Sequence, residues 1–380
     1  VPASPARLRV ALDATPLLGR RTGVGQFCAG ALAALAERED LELSGFALSW
    51  RGRGQLGALL PPGVAAVNRA LPARVLQWSW ARWAFPPAEL CVGQADVVHG
   101  TNFVVPPARR AATVVTVYDL TPLRFPQWCQ PASLAYPQLV RQAVKRGAWV
   151  HVTSAFVASE VSELLGAPSE RVRVVPPGVP VVADGARLAP WGRLPPWASS
   201  YVLALGTVEP RKDLPTLVRA FGMVAGHHPG LALVLAGPDG WGSDELAEAV
   251  AACPARDRVL RLGWVPDPER AGLLAGAAVF AYPSRYEGFG LPPLEAMAAG
   301  VPVVATRAGA LGEVLGDAAW LVEVGDAEAL AGALEGLLGD EGRRQDLVRR
   351  GRERARQFTW EASAAGLATL YHDARSHWAG

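Results

Sequence analysis

Two carboxylates, Glu287 and Glu295, stand eight residues apart in the segment YPSRYEGFGLPPLEAMAAGVPVVAT, which starts at Tyr282 and ends at Thr306. Between them lie a Gly-Phe-Gly-Leu turn and the pair Pro292-Pro293. Proline favours the first position of a helix, so the pair marks a helix start. Glu295 then falls in the first turn, Phe289, Gly290 and Leu291 form the loop that caps it, and Glu287 sits just upstream at a strand end. The bare amides of a helix start attract phosphate, and a carboxylate beside them accepts from vicinal hydroxyls. A nucleotide sugar offers a diphosphate for the amides, a ribose diol for one glutamate and sugar hydroxyls for the other. The plainer alternative is a buried βα turn with two solvated glutamates; the glycines, the prolines and the following VPVVAT strand weigh against it.

Elements must hold these residues in place, and the chain is long enough to build them twice. Its 380 residues suit two domains of about 150 to 200 residues each. With half the residues apolar and 19% charged, it reads as globular. No apolar run reaches the roughly 18 to 20 residues that span a bilayer, and the opening residues lack the pattern of a signal peptide. Cys28, Cys91, Cys129 and Cys253 show no CxxC spacing, so they read as thiols of a reducing cytoplasm; no metal site is expected. Lys+Arg outnumber Asp+Glu by 19 to 12 in residues 1–190, whereas residues 191–380 carry 18 against 23. The basic half could face an anionic partner such as the inner face of a membrane, or the charges could simply be scattered arginines. Nucleic acid is not expected, because the basic residues do not cluster.

Both halves alternate short apolar strands with helical segments, which predicts parallel sheets covered on both faces. Strands are expected at 8–12, 97–99, 113–118, 149–153 and 172–175, and helices at 27–36, 133–146 and 155–165. The Pro/Gly/Ala-rich stretch 176–199 reads as a linker. The second half opens with a strand at 201–205 and a helix at 214–225; further strands are expected at 232–236, 259–262, 279–282 and 301–306. In such sheets ligands sit at the carboxyl ends of the strands. The clusters at 20–25, 99–102, 118–119, 209–213, 237–242 and 287–291 all fall there, and two facing sheets would bring them together. Gly23-Val24-Gly25 fails as a dinucleotide fingerprint, since Cys28 stands where a third glycine is needed. That disfavours a nicotinamide-dependent dehydrogenase. The segment RVLQWSWARWAFP at 74–86 interleaves Trp78, Trp80 and Trp83 with Arg74 and Arg82, which suits a membrane interface, an aglycone wall or core packing.

These residues resemble the retaining glycosyltransferases of the GT-B fold, family 4, in their mannosyltransferase-like group 1 branch. The likeness runs through nearly the whole chain and is densest over 201–325. YPSRYEGFGLPPLEAMAAGVPVVAT is similar to that family's paired-glutamate signature, and GTVEPRKDLPTLVRAF to its strand-loop-helix with an Arg-Lys pair. LRVALDATPLLGRRTGVGQF, ADVVHGTNFVVPP and VVTVYDLTPLRFP resemble its N-terminal segments, and FTWEASAAGLATLYHDA its closing helix. The resemblance implies an α/β GT-B architecture of two Rossmann-like domains facing across a cleft. The acceptor domain would occupy 1–185, a linker 186–199 and the donor domain 200–356, with a helix at 357–380 crossing back to the first.

Residue by residue, the resemblance assigns Arg211 and Lys212 to the donor diphosphate. Cations at a helix start are unfavourable unless an anionic ligand relieves them, and Lys212 is one of two lysines against 35 arginines. Glu287 would meet the transferred sugar, and Phe289, Gly290 and Leu291 would offer amides. Glu295 would hold the ribose, with Gly23, Val24, Gly25 and Gly237 near the donor. His99, Asn102, Tyr118 and Asp119 would lie near the acceptor. Relatives often carry His at the place of Tyr118, and Asn at that of Pro177. The expected activity is transfer of a hexosyl group, mannose from GDP-mannose first among UDP-, GDP-, ADP- and TDP-sugars. The acceptor would be a hydroxyl of a polysaccharide, glycolipid or small glycoside, and no metal or other cofactor is expected. The alternatives are a non-catalytic nucleotide-sugar-binding subunit and a phosphorylase or epimerase of the same fold.

Overall fold

The computed structural model describes residues 7–19, 23–49, 54–69, 72–180 and 194–378. It divides into two compact units, Val1–Gly178 with Phe358–Gly380, and Val179–Gln357. Of the linker expected at 186–199, residues 186–193 lie outside the described residues, as do 20–22 of the first strand-end cluster.

The first unit is a seven-stranded sheet in the order β3-β2-β1-β4-β5-β6-β7. Its strands are β1 (Leu8–Asp13), β2 (Leu41–Leu48), β3 (Ala65–Arg69), β4 (Val97–Gly100), β5 (Ala112–Val117), β6 (Trp149–Val152) and β7 (Val172–Val174). Every pairing is parallel. Because successive side chains of a strand point to opposite faces, the sheet feeds two cores. Val10, Leu12, Val97 and Val114 pack under the helices Gly23–Ala36 and Trp360–Ser376. Ala11, Val98, Val115 and Val150 pack under Ala73–Arg82, Tyr136–Lys145 and Ala155–Leu165. The last of these starts where Ser154 accepts from the amide of Val157 and stops at Gly166, whose φ of 69° is left-handed. The C-terminal helix belongs to this unit because two glycines make room for it. A β-carbon at Gly30 or Gly178 would meet Trp360 at 2.2 or 2.3 Å.

The second unit is a six-stranded parallel sheet in the order β10-β9-β8-β11-β12-β13. Its strands are β8 (Ser200–Leu205), β9 (Leu231–Ala236), β10 (Val259–Gly263), β11 (Val279–Tyr282), β12 (Val303–Thr306) and β13 (Trp320–Val322). Val202, Ala204, Leu233, Leu235 and Ala281 bury one face against the helices Leu214–Val224 and Ala327–Gly339. Sequence reading did not find β2, β3 and β13. Gly45 interrupts β2, β3 is a short Ala-rich run, and β13 is only three residues long. No helix among the described residues is long and apolar enough to cross a membrane.

Candidate active site

In the second unit the chain leaves β8 toward β9 and β10 on one side, then returns to lay β11 on the other. Such a reversal opens a crevice at the carboxyl ends of the two strands. The loops that follow β8 and β11 enter it, and they carry Arg211, Lys212 and Glu287.

The two loops are stitched together. Lys212 Nζ donates to Glu287 Oε1 at 2.6 Å, and Arg211 Nη1 lies 2.7 Å from Glu287 Oε2. Arg211 also pairs with Glu209 at 2.7 Å and donates to the Tyr286 carbonyl. Lys212 donates to the Tyr282 hydroxyl at 2.6 Å. Behind this layer, the buried Asp213 pairs with Arg285 at 2.8 Å, and the Arg285 amide donates to the Arg211 carbonyl. Asp213 has a left-handed φ of 46° and precedes the helix Leu214–Val224 without capping it, because its carboxylate faces Arg285. The Glu287 carbonyl accepts from the Ala310 amide, and a β-carbon at Gly309 would meet that carbonyl at 2.2 Å. The sequence places Asp213 in the 209–213 cluster without a role of its own and singles out neither Arg285, Tyr282 nor Gly309. The first three adjoin or lie within the two motifs; Gly309 carried no signal beyond being a glycine.

Burial pushes the Glu287 carboxyl up, but Arg211 and Lys212 outweigh it and hold it at about 2. Burial and the Arg211 guanidinium press Lys212 below the usual lysine value, against the pull of Glu287 and Glu209. An ammonium has three protons. Glu287 and Tyr282 take two, and the third has no partner among the described residues. Lys212 lines a pocket at the ends of β8, β9 and β11 with Gly206, Gly237, Asp239, Arg261 and Ser284.

The other donor-side candidates fall into place unevenly. Gly237, expected near the donor, lines that pocket, and its first reason to be glycine is packing: a β-carbon would meet the Gly206 carbonyl at 1.9 Å. Gly290 has φ 107° and caps the helix Leu291–Ala298, whose start carries no side-chain cap. Phe289 is buried and Leu291 half-buried. Glu295 is buried and forms an ion pair with Arg270 of the helix Asp267–Gly276.

In the first unit, Gly23, Val24 and Gly25 open the described part of the helix Gly23–Ala36. His99, expected near the acceptor, is fully buried, and both ring nitrogens are engaged: Nδ1 with the Tyr371 hydroxyl at 2.7 Å, Nε2 with Thr116 at 2.8 Å. Thr116 continues to His151, which contacts the Val175 carbonyl. Burial drives His99 well below the usual imidazole value, so it is a neutral strut between sheet and C-terminal helix. That corrects the expectation. The Tyr118 hydroxyl donates to the Thr101 carbonyl at 2.6 Å, and Asp119 accepts from the Thr121 amide, so both shape the turn after β5. Asn102, another of the four acceptor candidates, lines a pocket. It does so at the β1/β4 reversal with Asp13, Gln77, Trp80, Phe46 and Tyr136. Burial raises the Asp13 carboxyl to about 6, although it accepts from the Thr15 amide at 2.9 Å.

Comparison with known proteins matches residues 22–182 to the model of glycosyltransferase family 4 and residues 196–354 to that of glycosyl transferases group 1. The chain is 32% identical to O-antigen chain mannosyltransferase B of Escherichia coli, over 72% of this chain and 74% of that protein. It is 34% identical to D-inositol 3-phosphate glycosyltransferase of Acidothermus cellulolyticus over 57% of this chain, and spans about half of that relative. Sucrose-phosphate synthase from Thermosynechococcus elongatus superposes with a TM-score of 0.76 at 23% identity, covering 98% of this chain and all of that one. Anabaena HepE in complex with UDP-glucose gives 0.70 at 19% identity, over 97% of this chain and all of that one. Two parallel-sheet units, a stitched crevice at β8/β11 and these likenesses agree: the chain belongs to glycosyltransferase family 4 and has the GT-B fold.

Proposed function

We propose that this chain transfers a hexosyl group, with retention and without a metal, from a nucleoside diphosphate sugar to a hydroxyl of a glycan or glycolipid. GDP-mannose is the first donor by branch resemblance. The observation that carries the reading is Lys212, which is fixed by Glu287 and Tyr282 and keeps a proton for the pocket. A fixed cation helps most where negative charge develops, here on the diphosphate as the bond to the sugar breaks. Arg211, held by the same glutamate, adds a second charge. Glu287 stays ionised through the physiological range, so it serves as acceptor for sugar hydroxyls rather than as an acid. Tied to two cations, it is a poor nucleophile for a double displacement. A same-face route fits better: the anomeric carbon–phosphate oxygen bond breaks, the acceptor oxygen bonds to that carbon, and its proton passes to the departing phosphate. An α donor then yields an α linkage. Glu295 takes the ribose diol in exchange for part of its contact with Arg270.

The acceptor is assigned to the Asp13 pocket of the first unit. A carboxylate, two amides and aromatic walls suit a neutral, hydroxyl-rich ring and repel a phosphate. That favours the acceptor class in the name of the O-antigen mannosyltransferase over that of the inositol phosphate enzymes. Melting temperatures in EDTA with UDP-, GDP-, ADP- and TDP-sugars test the donor side, since a ligand that binds only the folded state raises them. One sugar nucleotide should stand out. No shift with any, or a shift that needs magnesium, would overturn the donor reading; a shift without turnover would leave a binding subunit.

A further inference from the structure

The helix Ala73–Arg82 has two faces with different work. Leu76 and Trp80, four residues apart, are buried in the core of the first unit and line the Asp13 pocket with Gln77. Val75 and Trp78, three apart, lie on the other face and are each 58% exposed. The chain beyond the helix extends that face. Trp83 is 60% exposed and its ring meets Trp78 edge-on, centroids 4.7 Å apart, and Phe85 is 54% exposed. A soluble helix ordinarily turns such residues inward. Here an aromatic pair, a phenyl ring and a valine are all exposed, while Trp80 shows that the same helix has a core side for indoles.

Cations stand at the end of this helix. Arg82 ends the helix, and Arg146 donates to the Trp80 carbonyl at 3.3 Å with Lys145 beside it in sequence. None of the three has an ion-pair partner among the described residues, and the sequence holds no Asp or Glu between Glu42 and Glu89. The arginine-rich helix Glu341–Ala355 of the second unit is the contrast: there Arg344, Arg349 and Arg350 each pair with a carboxylate. Exposed indoles flanked by unpaired cations match a surface that is apolar within and anionic at its rim.

We propose that this face docks the protein onto an anionic lipid bilayer, with Trp78, Trp83 and Phe85 in the interfacial zone and Arg82, Lys145 and Arg146 over the headgroups. The Asp13 pocket then lies about one helix diameter, ~10 Å, from the lipid. An acceptor carried on a lipid would present its hydroxyls there. That consequence rests on the acceptor reading above; the docking itself does not.

Vesicle flotation tests it. Wild-type protein should float with phosphatidylcholine vesicles containing about one third phosphatidylglycerol, and at least about tenfold less with phosphatidylcholine alone or in high salt. The double variant Trp78→Ser/Trp83→Ser should lose at least about tenfold in vesicle binding while keeping the wild-type melting temperature and donor-induced shift. Arg82→Glu/Lys145→Glu should lose the dependence on phosphatidylglycerol. Wild-type protein that stays with neither vesicle, or tryptophan variants that float as well as wild type, would overturn the proposal. So would a wild-type dimer in ultracentrifugation that the tryptophan variant dissolves, since the face would then join two copies of the chain.

Discussion

Both units repeat one plan, a parallel sheet whose strand order reverses beside its first strand, yet they fill the reversal with opposite chemistry. At β8/β11 two cations and two carboxylates interlock within 2.6–2.7 Å, and every charge has a counter-charge. At β1/β4 the polar groups are amides, hydroxyls and a single carboxylate, Asp13, among aromatic walls. The histidines nearby are neutral struts of the core. The fold therefore provides a place, and the side chains decide what that place can do. Fixed charge suits a crevice where a bond to phosphate breaks. A nearly neutral pocket suits a sugar whose hydroxyls must be oriented, not ionised.

The comparison breaks hardest at the cations. Lys212→Ala or Arg211→Ala should each lower kcat by on the order of 10²-fold or more, as removal of a transition-state charge stabiliser does. Because Glu287 keeps one cation in either variant, the fold should survive. Steady-state kinetics on the double variant decides: near-normal turnover would mean that the cluster is only an ion-pair brace.

The two glutamates sharpen the same point. Under the proposed function, Glu287→Gln should depress kcat, since contacts to sugar hydroxyls strengthen as charge grows on the anomeric carbon. Glu295→Gln should mainly raise the donor KM, by a factor worth roughly 1 to 3 kcal/mol, because an amide offers one accepting oxygen to a diol. Losses that are equal in both and follow melting temperature would make the pair structural, with Glu295 serving only Arg270.

Why the second unit was easier to read than the first follows from where its residues lie. Arg211, Lys212 and Glu287 sit in two contiguous motifs, each bounded by a proline that fixes a helix start, so short-range signals position them. The Asp213–Arg285 pair is invisible in the sequence although Asp213 falls in the 209–213 cluster, because the pairing spans 72 positions and only the β8/β11 contact creates it. In the first unit, His99 looks functional at a strand end and is claimed by Tyr371, 272 positions away. Asp13 gave no local signal; its pocket is assembled from β1, β2, the loop after β4 and two helices. The strand pattern was legible where apolar runs are continuous and failed where glycine or alanine dilutes them, as in β2 and β3.

If the histidine network is a strut, breaking it should cost stability and leave chemistry alone. His99→Phe takes from the buried Tyr371 hydroxyl its bond to the imidazole, while Thr116 keeps His151, an expected loss of about 1 to 3 kcal/mol. Chemical denaturation should show it, with kcat for folded protein unchanged. A fall in kcat without a fall in stability would return His99 to the acceptor site.

The smallest effect concerns Asp13, and it has a definite sign. Its carboxyl sits at about 6 in the folded protein against an ordinary 3.8, through burial. Between these values the folded state binds more protons than the unfolded state, so stability falls as pH rises through that window and stays lower above it. That difference corresponds to at most about 3 kcal/mol, and water in the open pocket lowers the figure. Asp13→Asn keeps an oxygen for the Thr15 amide but cannot ionise. The variant should therefore gain on wild type as pH is raised from 4 to about 7, the difference between the two curves isolating this one group from all other carboxylates. The same change should raise the acceptor KM and leave the donor KM alone, because the pocket belongs to the first unit. If the two stability curves run parallel, Asp13 is not held protonated by burial. If the donor KM moves instead, the division of labour between the two reversals is wrong.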